Sequence, residues 1–85
     1  MRDFAVVIPA YRPNDMLPQY VNRLIKQGVQ KVIVVNDGNE ASYNELFQQL
    51  SQFERCIVLE HKYNSGKGAA LKTGFSYFLE YHSDL

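Results

Sequence analysis

The chain has 85 residues, nine Lys plus Arg against nine Asp plus Glu, a formal net charge of +0 and a sequence pI of about 6.7. That length fits one small domain, and a chain near this size buries only about 60–65% of its unfolded surface, so modest stability is expected. The charge balance leaves no basic excess for non-specific nucleic-acid binding, so no nucleic-acid partner is expected, and 46% hydrophobic with 21% charged residues is ordinary for a soluble globular protein.

In chain order, Phe4-Ala5-Val6-Val7-Ile8 is an unbroken apolar run stopped by Pro9, and such a run predicts a strand buried on both faces. Leu17, Tyr20, Val21, Leu24 and Ile25 then recur at helical spacing. Pro18 falls in the first turn, where its missing N–H does least harm, and Gly28 stands where a left-handed C-terminal cap belongs. Lys31-Val32-Ile33-Val34-Val35 is a second buried run, ended by Asn36-Asp37-Gly38. Ser42-x-x-Glu45 has the form of a capping box and opens a second helix, with Leu46, Phe47, Leu50 and Phe53 on one stripe. Cys56-Ile57-Val58-Leu59 is the third strand, ended by a polar loop from His61 to Ser65. The third helix starts near Ser65 or Gly66 and carries Ala70, Leu71, Gly74, Phe75, Phe78 and Leu79, a stripe that reads as core. Cys56, the single cysteine, reads as a small buried hydrophobe. No leader-like segment opens the chain and no apolar run approaches the roughly 20 residues of a membrane span, so a cytoplasmic protein without a membrane segment is expected.

Three alternating strand–helix units predict an α/β fold: a Rossmann-like, three-layer half-domain with a parallel sheet of three strands in the order 3-2-1 and three helices. Ligands of such sheets bind beyond the carboxyl ends of the strands, where three loops converge: Pro9 to Asp15, Asn36 to Ala41 and His61 to Gly68. The last contains Ser65-Gly66-Lys67-Gly68, which has the look of a phosphate grip. It is not a Walker loop, because Gly66-Lys67 is followed by Gly68 and the position five before Gly66 is His61. It is not a dinucleotide fingerprint either, since Leu71 stands at the third glycine position. What remains is a helix N-terminus whose free N–H groups and dipole suit an anion, with Gly66 and Gly68 permitting close approach and Lys67 adding a charge. Equally, the glycines could serve only a tight turn, with Lys67 solvated. Asp37 at a strand end can accept a hydrogen bond from a base N–H, or belong to an ordinary Asp-Gly turn. Tyr11 offers an aromatic face to a base, or packs as a surface tyrosine.

The stretches VVIPAYRPND, VIVVNDGN and HKYNSGKGAALKTGF, in this order and spacing, resemble the amino-terminal part of family 2 glycosyltransferases, inverting enzymes of the GT-A fold that transfer a sugar from a nucleotide-sugar. The resemblance runs from Phe4 to Tyr81, and among family members the polyprenyl-phosphate sugar transferases are similar in flavour. It implies a nucleotide site built from Pro9, Ala10 and Tyr11 of the first loop, Asp37 and Gly38 of the second, and Asn64, Gly66, Lys67 and Gly68 of the third, with Asp37 reading the base. Arg12 replaces the usual Asn, and Asn36 and Asn39 replace the usual Asp and Ser.

The family's Asp-x-Asp motif, which holds the metal and diphosphate, and its acceptor-activating Asp or Glu have no counterpart in the sequence. Asp3, Asp15, Glu40, Glu54, Glu60 and Glu80 are scattered, and His61 and His82 are too isolated to form a metal site. The chain is therefore expected to be a single truncated nucleotide-sugar-binding domain over 1–85, without catalytic residues or cofactor of its own, Mg or Mn entering only with the missing half. Its partners would be a nucleotide-sugar or nucleoside diphosphate, and a further copy of itself through the exposed edge of the first strand. The alternatives are a non-catalytic nucleotide-binding or assembly module and a sugar nucleotidyltransferase. The latter needs a glycine-rich loop after the first strand, which Pro9-Ala10-Tyr11-Arg12-Pro13 is not.

Overall fold

The structure, a computed structural model, describes residues 5–81. Arg2, Asp3, Phe4, His82, Ser83, Asp84 and Leu85 lie outside the described residues. Three strands, β1 (Ala5–Ala10), β2 (Lys31–Asp37) and β3 (Cys56–His61), alternate with three helices, α1 (Leu17–Lys26), α2 (Asn44–Ser51) and α3 (Lys67–Tyr81). The sheet is parallel, with β2 between β1 and β3, which is the order 3-2-1 expected from the alternating pattern. Parallel strands cannot be joined by tight hairpins, so each connection carries a helix across the sheet.

Only β2 is buried on both faces: Val32, Ile33, Val34 and Val35 are all 0% exposed. The period of two divides it. Val32 and Val34 pack with Val21 of α1 and Phe47 and Leu50 of α2, whereas Ile33 and Val35 face the layer of α3. Helices thus cover both faces in three layers. The expectation of full burial fails for β1 and β3, which are half-buried along most of their length because they flank the central strand.

Three boundaries, and the burial of α3, differ from what the sequence suggests. β1 runs through Pro9, paired with Val35, to Ala10; a flanking strand has one row of N–H groups without a ladder partner, where proline is tolerated. β3 continues to His61 because it pairs residue for residue with β2 as far as Asp37. The capping box does not form: Ser42 lies in a 3-10 turn, Ala41–Tyr43, and α2 starts one residue later with no side-chain cap. On α3 only Ala70 and Gly74 are buried, while Phe75 is 55% and Leu79 66% exposed. The helix presses onto β1 through Gly74, where an added Cβ would collide with Val7. Beyond β1 nothing among the described residues lies beneath the helix, so its outer stripe is bare. Tyr20 of α1 is likewise 48% exposed. The expected cap of α1 is present: Gly28 has φ 103°, and the N–H groups of Gly28 and Val29 reach back to the carbonyls of Ile25 and Leu24 at 3.0 and 3.2 Å.

Candidate functional site

The three loops meet at the carboxyl ends of the strands, around an open cavity of about 420 Å³ lined by Pro9, Ala10, Tyr11, Asp37, Asn64, Gly66 and Lys67. Seven of the nine residues singled out from sequence therefore share one cavity wall. Gly38 and Gly68 stand just outside that lining. Gly38, at φ +68°, is where the second loop passes against the third, and a Cβ there would collide with the Tyr63–Asn64 backbone. Gly68 has open space around it, so packing within the chain does not demand a glycine there.

Asp37 ends β2 and is 2% exposed. Its carboxylate is met by three donors from the chain itself: His61 Nδ1 at 2.8 Å and the Ser65 N–H at 2.9 Å on Oδ1, and the Gly66 N–H at 3.0 Å on Oδ2. Burial by itself would raise its pKa, but the Ser65 N–H, His61 and the Gly66 N–H outweigh it and hold the carboxyl below its usual range. Two of the N–H groups that made Ser65-Gly66 look like a phosphate grip are thus already capped by an internal anion. The Asn64 amide reaches the Asp37 carbonyl at 3.3 Å, so the third loop is tied to the second at three successive residues. A carboxylate has about four acceptor positions. Three are filled, and the remaining one, on Oδ2, is the capacity Asp37 retains toward a ligand.

The sequence reading missed His61. Parallel register sets it beside Asp37, so both side chains project to the same face, that of α3. There its Nε2 lies 2.7 Å from Thr73 Oγ1. The signal was available: a charged acceptor and an imidazole at the ends of adjacent strands. A carboxylate only accepts, so Nδ1 carries the hydrogen toward Asp37, and Nε2 can then accept from the Thr73 hydroxyl.

Asn36 and Asn39 replace the family's usual residues with a network of their own. The Asn39 amide donates to the Ala10 carbonyl at 2.8 Å and to Asn36 Oδ1 at 2.7 Å, while its oxygen accepts from the Arg12 N–H. This locks the first loop to the second. Arg12 sits at φ 49°, the left-handed region in which Asn is far more at ease, which accounts physically for the residue the resemblance leads one to expect there. Its guanidinium lies 5.1 Å from the centre of the Tyr11 ring and 3.2 Å from Glu40. That ion pair is solvent-exposed and contributes little to stability.

No three His, Cys, Asp or Glu side chains among the described residues are placed to hold a metal ion. The described residues therefore offer no ligand set for the Mg or Mn that the resemblance implies. Cys56 is buried and free, with its thiol pushed up to about 11 by desolvation, the ordinary state of a structural cysteine. None of the described helices is long and apolar enough to cross a membrane.

Fold and cavity define an open parallel α/β unit with its candidate site at the strand ends. The chain belongs to glycosyl transferase family 2, whose family model matches residues 5–79. It is 34% identical over 76 residues to an uncharacterized protein of Methanocaldococcus jannaschii, a match covering 89% of this chain and 30% of that protein. It is 25% identical over 93 residues to a UDP-N-acetylglucosamine–dolichyl-phosphate N-acetylglucosaminyltransferase of Methanococcus voltae, covering 94% of this chain and 37% of that one. The chain spans about a third of the length of these curated relatives. No solved structure matches it significantly.

Proposed function

We propose that the chain is the nucleotide-binding part of an inverting, GT-A type glycosyltransferase that draws its sugar from a nucleotide-sugar, with the nucleotide seated in the cavity between Tyr11, Asp37 and Lys67. The observation that carries this reading is the convergence of Pro9, Ala10, Tyr11, Asp37, Asn64, Gly66 and Lys67, from three separate loops, on one cavity in a chain of this family. Each has a task. The half-exposed Tyr11 ring offers a face for a base, Asp37 Oδ2 an acceptor for a base N–H, and Lys67 a charge for the diphosphate. Gly38 acts indirectly, by letting the second and third loops touch, and Gly68 leaves room over the first turn of α3. The metal ligands and the acceptor-activating carboxylate belong outside this stretch, so the isolated chain binds without turning over. The reading includes the cytoplasmic location expected from the sequence.

Calorimetry with UDP and GDP tests the site through its exposed residues, whose removal leaves the core intact. Tyr11→Ala and Lys67→Ala should each weaken nucleotide binding several-fold. Unchanged affinities, or no binding by the wild type at up to millimolar nucleotide, would dismiss the reading. Incubation with a panel of nucleotide-sugars and manganese should release no nucleoside diphosphate over many turnovers; sustained metal-dependent release from contaminant-free protein would refute the inactivity of the isolated chain.

A further inference from the structure

Of the three donors on the Asp37 carboxylate, two are backbone N–H groups of the turn that Asp37 itself holds, and they move with it. His61 is different. Its ring is fixed at both nitrogens, 2.8 Å from Asp37 Oδ1 and 2.7 Å from Thr73 Oγ1, so it ties the carboxylate to the body of α3. The connectivity is that of an acid–base–hydroxyl relay, but neither His61 nor Thr73 borders the cavity, so neither reaches a ligand there. What the pair can do is hold. With Oδ1 pinned by the imidazole, the carboxylate cannot rotate about its Cβ–Cγ bond, and the spare acceptor position stays on Oδ2, the oxygen that meets Gly66 of the cavity wall.

We propose that His61, oriented by Thr73, is a positioning residue for the nucleotide cavity: it fixes the Asp37 carboxylate and, through it, the Ser65–Gly66 turn that presents Asn64 and Lys67. This rests on reading the cavity as a nucleotide site. The Asp37 carboxylate, which only accepts, keeps the ring hydrogen on Nδ1, and the Thr73 hydroxyl on Nε2 holds the ring in that orientation. A mere brace would stabilise the fold and leave the cavity's affinity untouched.

The two roles separate in a series of variants measured for folding, UDP affinity and imidazole nitrogen shifts. Only two histidines are present, so the ¹⁵N spectrum assigns directly, and the wild type should show one ring with its hydrogen held on Nδ1. His61→Leu should weaken UDP binding about tenfold, the value of one charge-assisted hydrogen bond. His61→Asn, whose amide nitrogen falls near the Nδ1 position, should recover affinity to within about twofold to threefold of the wild type. His61→Gln, which places its nitrogen near Nε2 instead, should not. If His61→Leu does not fold, Thr73→Val carries the test: it keeps the shape of α3, and by freeing Nε2 it should shift that nitrogen's signal and weaken UDP binding. Folded variants that bind UDP as the wild type does would overturn the inference while leaving the nucleotide site standing. A wild type that binds neither UDP nor GDP would remove both.

Discussion

Asp37 serves two ends with the same two oxygens. It closes the third loop onto the second through Ser65 and Gly66, and it faces the cavity with what remains. Its substitution therefore acts on the fold before it acts on binding. Asp37→Ala orphans two backbone N–H groups and an imidazole, and should lower stability at neutral pH by about 2–3 kcal/mol, a large part of the total for a domain this small. Urea unfolding measures it. The acid limb follows from the lowered pKa. A depressed folded-state pKa contributes stability that is complete above the unfolded value of about 3.9 and is lost as pH falls through the folded one. The gap between wild type and Asp37→Asn should thus be full at pH 7 and close below about pH 4; a gap constant down to pH 2 would mean the carboxylate's charge is not what the turn responds to. Arg12 gives a second test. At φ 49° it occupies a backbone conformation that suits Asn, so Arg12→Asn should raise the urea midpoint despite losing the exposed contact with Glu40. A lower midpoint would show that the side chain, not the backbone, decides that position.

At the scale of elements, the alternation of strands and helices was legible because β2 is a run of Val and Ile buried on both faces and the helices keep an apolar stripe. The boundaries were not, because pairing sets them. Nothing local in Glu60-His61 announces a strand; the register with Asn36 and Asp37 extends it. Nothing local in Ser42-x-x-Glu45 forbids a capping box either, yet a 3-10 turn takes its place, with the Tyr43 N–H on the Glu40 carbonyl at 3.0 Å. For the same reason the cavity residues were readable, being loop residues with distinctive chemistry, while their mutual bonds were not. Asp37 read as a free acceptor, and Asn36 and Asn39 as departures from a pattern, until the three-dimensional contacts gave each a partner. The glycines of α3 separate packing from ligand access. Gly74 meets Val7, so Gly74→Ala should cost about 1–3 kcal/mol by overpacking. Gly68 meets nothing, so Gly68→Ala should raise stability by about 0.5–1 kcal/mol through helix propensity. If the glycine serves a ligand, the same change should weaken UDP binding, and a stabilised variant with unaltered affinity would return Gly68 to the role of an ordinary helix residue.

The molecule as a whole is lopsided about its sheet. Exposed apolar side chains stand on both sides of the β1 edge: Met16, just before α1, and Tyr20 on one face, 53% and 48% exposed, and Phe75 and Leu79 on the other. Each pair borders an apolar hollow beside the strand, one of about 290 Å³ that also takes in Ile8 and Leu17, the other of about 270 Å³ with Ala5, Val7 and Phe78. Two helix layers overhanging the outer edge of β1, which has no partner among the described residues, make a slot for further sheet, and such an edge with apolar flanks invites another chain. A second copy of the 85-residue chain offers one strand that fits, its own β1. About a two-fold axis the two would run antiparallel, joining two three-stranded sheets and covering Phe75 and Leu79 with their counterparts. A stable interface of this kind buries roughly 1,200–2,000 Å², so both the strand and its flanking side chains must contribute. We therefore expect a dimer, or a larger assembly through the same edge, in light scattering after gel filtration. The double change Phe75→Lys and Leu79→Lys, made at exposed positions that leave the core intact, should shift it toward monomer. A wild type that stays monodisperse and monomeric at high concentration, with the double variant eluting identically, would show that the edge is left open in solution.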